Sequence, residues 1–94
     1  MDTEGYSLLH LANGPQMAQI LLDNGAQLEA RDKGGMTPLH RAAWTANTAL
    51  TAFYLEKGAD IDARDNNGKT PLDLAVDKNF PGVIQVFNGE EPDY

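Results

Sequence analysis

The sequence predicts a mostly α-helical solenoid of stacked helix-turn-helix units, on three observations. The chain repeats itself: Thr37-Pro38-Leu39 returns as Thr70-Pro71-Leu72, Ala30-Arg31-Asp32 as Ala63-Arg64-Asp65 and Gly25-Ala26 as Gly58-Ala59, each 33 residues on. A period of that size marks units too small to bury their own apolar face alone. Between the repeated segments lie short apolar stripes at helical spacing, opened by Ser, Thr or Pro and followed by Gly. Finally, a compact core built from 94 residues is marginal, whereas a stack needs only contacts between neighbours. Gly5 to His10 matches Gly35 to His40 at an offset of 30, so the first of three units is three residues short.

The units run roughly over 2–34, 35–67 and 68–89, with an acidic tail at 90–94. Unit one begins at its own glycine with no turn arm ahead of it, and is expected to act as the amino-terminal cap. Ser7 is placed to cap a short helix carrying Leu8, Leu9, Leu11 and Ala12, with His10 at its third position. Asn13-Gly14-Pro15 ends that helix and opens the next, since proline suits a first helical turn. Met17, Ile20, Leu21 and Leu22 form its apolar stripe, and Asn24-Gly25 closes it. Ala26 to Gly35 has the composition of an exposed turn around Leu28. Thr37-Pro38 then restarts a helix whose Leu39, Ala42 and Ala43 allow close approach. Ala49, Leu50, Phe53, Tyr54 and Leu55 build the second helix of unit two. Ala59 to Gly68 repeats the turn, with Ile61 as its expected apolar anchor and Asn66-Asn67-Gly68 as its tip. Unit three opens with Thr70-Pro71-Leu72-Asp73, where Asp73 replaces the histidine yet permits a reciprocal cap. Val83, Ile84, Val86 and Phe87 complete the apolar set. The residues from Asn88 to Tyr94 show no periodicity and are expected to fray.

Gly-x-Thr-Pro-Leu-His-x-Ala-Ala at Gly35 to Ala43, followed eighteen residues after its leucine by Lys57-Gly58-Ala59-Asp60-Ile61-Asp62-Ala63, resembles the ankyrin repeat. The likeness covers almost the whole chain: unit two is nearly complete, unit one is shortened and unit three lacks its final arm. It implies stacked helix pairs with projecting β-hairpin fingers. It also implies that His10 and His40 tie one unit's turn to the next, a structural duty.

Composition excludes several functions. There is no cysteine, hence no disulfide framework, thiolate metal site or cysteine nucleophile. No apolar run reaches membrane-spanning length, and Met1-Asp2-Thr3-Glu4 is acidic where a signal peptide is basic. A cytoplasmic protein is expected, or a nuclear one in a eukaryote. Fourteen Asp and Glu against seven Lys and Arg leave a formal charge of −7, which argues against nucleic acid or an anionic bilayer and favours a basic protein surface. Gly68-Lys69-Thr70 has the end of a phosphate-binding loop, but Ala63 stands where its first glycine belongs. Asp60 to Asp65 resembles the start of a calcium loop, yet Arg64 takes a ligand place, Asp65 the required glycine and Pro71 the closing glutamate. Ser7 with His10 is accounted for by capping. No cofactor, metal or catalytic residue is assigned.

Apolar residues at fixed places are consumed by stacking, so binding falls to what remains exposed. In ankyrin proteins that is the finger tips and the surface of each first helix. The resemblance places Tyr6, Lys33, Met36, Trp44, Thr45, Asn66, Asn67, Lys69, Asp77 and Lys78 there, with Glu4 beside Tyr6. Trp44 lies off the buried stripe and reads either as an interface anchor or as filler for the gap beside the shortened unit. Tyr6, Met36 and Trp44 together make a candidate apolar track. The expected function is non-catalytic binding of a protein partner by a monomer or weak homodimer. The alternative is an inhibitor or immunity-type protein blocking a basic enzyme such as a nuclease, through Glu29, Asp32, Asp60, Asp62 and Asp65.

Overall fold

A computed structural model of the chain describes residues 12–88. Within them the repeated sequence forms five helices: α1 (Pro15–Asp23), α2 (Pro38–Trp44), α3 (Thr48–Glu56), α4 (Pro71–Lys78) and α5 (Pro81–Phe87). Helix α1 falls in unit one, while α2 with α3 and α4 with α5 are the pairs of units two and three. The expected opening helix around Ser7 to Leu11, Tyr6 and the acidic tail lie outside the described residues.

Local chemistry accounts for where these helices start. The Thr37 hydroxyl accepts the His40 amide at 3.3 Å, and the Thr37 amide donates to His40 Nδ1 at 3.0 Å. Thr70 and Asp73 repeat the exchange at 3.1 and 3.0 Å, so the carboxylate reproduces the cap that the ring makes in unit two. Asn47 caps α3 by accepting the Leu50 amide at 3.1 Å, and its Nδ2 donates to the Asn13 carbonyl at 3.0 Å, joining unit two to unit one. The reversals inside units two and three pass through Ala46 and Asn79, both at φ 60°.

The helices stack in two rows. Helix α2 packs on α4, and α3 packs on α1 and α5. Ala18, Leu39, Ala42, Leu50, Tyr54 and Ala59 form the larger buried cluster. Ala43, Ala75 and Val83 form the smaller one, between units two and three. Alanine at these contacts lets backbones approach, while Leu39 and Tyr54 fill the space between. Burial pushes the Tyr54 phenol up to about 12.

Three expectations are revised. The fingers contain no β-strand among the described residues. Each is a single hairpin turn: the Asp32 amide donates to the Met36 carbonyl and the Gly35 amide to Asp32, both at 3.0 Å, and Asp65, Lys69 and Gly68 repeat this at 2.9 Å. One closing pair is too short for a ladder. Ile61 is 47% exposed, and the small Ala59 and Ala63 are buried in its place. The α1 stripe is only partly covered: among the described residues its main helical neighbour is α3, and Ala18 is buried while Met17 and Ile20 are 48% and 56% exposed.

Candidate functional site

Both fingers are held by the same side chains 33 residues apart. Asp32 Oδ1 accepts the amides of Gly34 and Met36 at 2.9 and 3.0 Å, and Asp65 Oδ1 accepts those of Asn67 and Lys69 at 2.8 and 3.0 Å. Arg31 and Arg64 each donate Nη1 to the glycine carbonyl four residues on, at 3.0 and 2.9 Å. The fingers also grip each other. The Asn66 amide donates to the Gly34 carbonyl at 2.9 Å, Asn66 Nδ2 to the Lys33 carbonyl at 2.8 Å, and Arg31 reaches the Arg64 carbonyl at 2.5 Å.

His40 joins the same lattice. Its Nδ1 accepts from Thr37, so Nε2 carries the proton and donates to the Lys69 carbonyl at 2.8 Å, tying unit two's helix to unit three's finger. The ring is fully buried, and that burial holds its pKa below the ordinary histidine value. A ring enclosed in this way is a structural bolt with no access for a substrate.

On the outside of this lattice, fingers and first helices share one face. A shallow depression of about 380 Å³ is lined by Met36, Asp65, Asn67 and Lys69 from the fingers and by Arg41, Trp44, Leu74 and Asp77 from α2 and α4. Trp44 is 41% exposed. Lys78 Nζ stands 4.1 Å from the centroid of its ring, a cation–π contact. Lys69 and Asp77 close one side with a 2.8 Å ion pair, and that carboxylate hydrogen bond raises the Lys69 pKa. Asp73 is held below the usual carboxylate range by the Thr70 amide.

The structure thus gathers Met36, Trp44, Asn67, Lys69, Asp77 and Lys78 on one face. It separates three other residues of the expected surface. Lys33 meets the second finger through its backbone carbonyl, which accepts from Asn66 Nδ2, and Thr45 donates its hydroxyl to the Arg41 carbonyl at 2.9 Å. Thr45 also borders a second depression, of about 550 Å³, beside Ala12, Asn13, Ala46 and Asn47. The Trp44 ring does not line that hollow next to the shortened unit; it lies against unit three under Lys78. Leu74 and Arg41 belong to the depression and were not among the expected residues. Helical spacing could have found them, since Arg41 precedes Trp44, and Leu74 precedes Asp77, by three positions on one helix face.

Among the described residues no group of three or more histidines and carboxylates is placed to hold a metal ion, and no helix is long and apolar enough to cross a membrane.

The family model described as ankyrin repeats (many copies) matches residues 21–75, and that of the single ankyrin repeat matches residues 4–33. The chain is similar to the probable 26S proteasome regulatory subunit p28 of Saccharomyces cerevisiae, 41% identical over 46 residues. That match takes in 46% of this chain and spans about a fifth, 20%, of the yeast protein.

Proposed function

Because this chain belongs to the ankyrin-repeat family, we propose that it is a non-catalytic module that binds a protein partner through the face around Trp44. The observation that carries this reading is the indole itself. It is a large, rigid, 41% exposed aromatic that stacking leaves unused, set on an inner helix between the half-buried Met36 and the charged rim of Lys69 and Asp77. An apolar anchor inside a polar rim is the arrangement from which interface hot spots are made. The similarity to a regulatory subunit of a large assembly supports a role in protein association.

The charge-mimic alternative draws less support from the same structure. Asp32 and Asp65 cap their own turns, Glu29 accepts the Asp60 amide at 2.9 Å and Asp60 accepts that of Asp62 at 2.9 Å. Of these acids, Asp32, Asp60 and Asp65 brace their own turns and Glu29 reaches the next finger.

The test compares wild type with Trp44→Ala as baits for proteins of the source cell, followed by calorimetry on the purified partner at low and high salt. Trp44→Ala should weaken binding by at least about 2 kcal/mol, roughly thirtyfold, with modest salt dependence. Binding that ignores Trp44→Ala and collapses with salt refutes the proposal in favour of charge mimicry.

A further inference from the structure

The contact between Lys78 and Trp44 bears on what the partner brings to this face, and it rests on the binding role proposed above. Lys78 lies in the last turn of α4 and is exposed. Its ammonium rests 4.1 Å from the indole centroid, well inside the range at which the negative face of the ring attracts a cation. Such a contact at an exposed site is weak, and the lysine stem is flexible, so Lys78 leaves readily when something better arrives. Beside it Asp77 faces Lys69 at 2.8 Å, with both side chains about half exposed at 51% and 43%. A pair so open to water also exchanges partners at little loss. Met36 and Leu74 supply apolar surface on the floor of the depression.

We infer that the Trp44 ring is a seat for a cation, occupied in the free protein by Lys78, and that the partner replaces Lys78 with an arginine from a basic segment. Arginine fits better than lysine. Its planar guanidinium stacks on the indole, is more weakly hydrated than an ammonium, and presents a fork of donors suited to the Asp77 carboxylate. Its aliphatic stem covers Met36 and Leu74. The formal charge of −7 steers a basic segment toward the chain as a whole.

The consequence runs against simple reasoning from contacts: deleting Lys78 strengthens the site. The test uses the whole chain and arginine amide as probe, read by the fluorescence of Trp44, the single tryptophan, at constant ionic strength. Wild type, Lys78→Ala and Lys33→Ala are titrated in parallel, and citrulline amide, of nearly the same shape without the charge, is the second probe. Lys78→Ala should respond to arginine amide at about two- to fivefold lower concentration than wild type. Lys33→Ala, which removes the same charge at the finger contact, should match wild type, and citrulline amide should give no saturating response. Equal midpoints for wild type and Lys78→Ala, an equal gain in Lys33→Ala, or equal potency of the two probes overturns the inference. Its failure is separable from that of the binding role. A partner that needs Trp44 but tolerates replacement of each arginine in its binding segment keeps the role and removes the arginine. A partner indifferent to Trp44→Ala removes the role, while the titration still reads the seat.

Discussion

Gly35 and Gly68 occupy the same place in successive fingers and nearly the same backbone conformation, φ +77° and +79°, yet their surroundings differ. A Cβ on Gly68 would meet nothing within 4 Å, whereas one on Gly35 would lie 2.8 Å from the Asn66 backbone nitrogen. Alanine at either position bears the left-handed penalty, about 1–2 kcal/mol. At Gly35 it must also push the second finger away. That breaks the bonds from the Asn66 amide to Gly34 and from Asn66 Nδ2 to Lys33, at 2.9 and 2.8 Å. Each is worth about 0.5–1.5 kcal/mol, so the additional loss is about 1–3 kcal/mol. Gly68→Ala should therefore lower stability by about 1–2 kcal/mol and Gly35→Ala by about 2–5 kcal/mol. With a urea dependence of about 1–3 kcal/mol per molar, the two midpoints should separate by about 1 M. Urea titrations of both variants, followed by far-ultraviolet circular dichroism, measure this directly. Coincident midpoints would show that the fingers do not hold each other, and the register assigned to the stack would fall with them.

Two further perturbations probe the stack between its fingers. Leu39 is 1% exposed in the larger buried cluster, so Leu39→Ala should cost roughly 2–5 kcal/mol; a loss well under 1 kcal/mol in the denaturation midpoint counts against its place between units. Burial holds the His40 pKa below 6.5, so on acidification the unfolded chain takes up a proton before the folded one does. The stabilisation His40 provides is complete above 6.5 and is lost as pH falls through that value toward the folded pKa. Between about pH 7 and about pH 5.5, wild type should therefore lose stability faster than His40→Gln, and parallel curves would refute the buried neutral ring.

The stack was legible because its determinants are local or periodic. Thr37-Pro38 and Thr70-Pro71 announce helix starts through capping chemistry that needs no distant partner, and the offset of 33 residues aligns them. That His40 ties one unit to the next was implied by the likeness to the ankyrin repeat. What the pattern could not reveal was which apolar residue is covered at the margins. Ile61 alternates correctly for an anchor, but Ala59 and Ala63 flank it on the buried side, and a turn closed by one pair of bonds has no sheet face to hide an isoleucine. Met17 and Ile20 have helical spacing, yet coverage depends on neighbouring elements, and among the described residues α1 packs chiefly on α3. The candidate site was half legible for a related reason. Family position predicts which residues are free of the core, but not which free residues meet. Asn66 and Asn67 are adjacent in sequence, and one grips the neighbouring finger while the other borders the Trp44 depression.

That division between neighbours leads to the allocation of charge. Five of the fourteen acids of the chain, Glu29, Asp32, Asp60, Asp62 and Asp65, lie on the fingers, and on composition alone they look like a surface built for a basic partner. Asp32 and Asp65 instead each receive two amides of their own turn, Asp60 accepts the Asp62 amide within its own finger, and Glu29 accepts the Asp60 amide of the next finger. A carboxylate fixed by backbone donors still contributes to the field around the protein, so it can attract a cation from a distance, but its geometry serves the turn. Asp77 differs. It lies on α4, its partner Lys69 is a half-exposed side chain, and it stands beside the ring that Lys78 covers. On the proposed reading, long-range attraction and local recognition fall to different acids. Salt should therefore slow the approach of a basic segment while leaving its seating on Trp44 largely intact. If calorimetry and stopped-flow fluorescence on the partner found salt acting mainly on dissociation, the finger acids would have to be making the contact themselves.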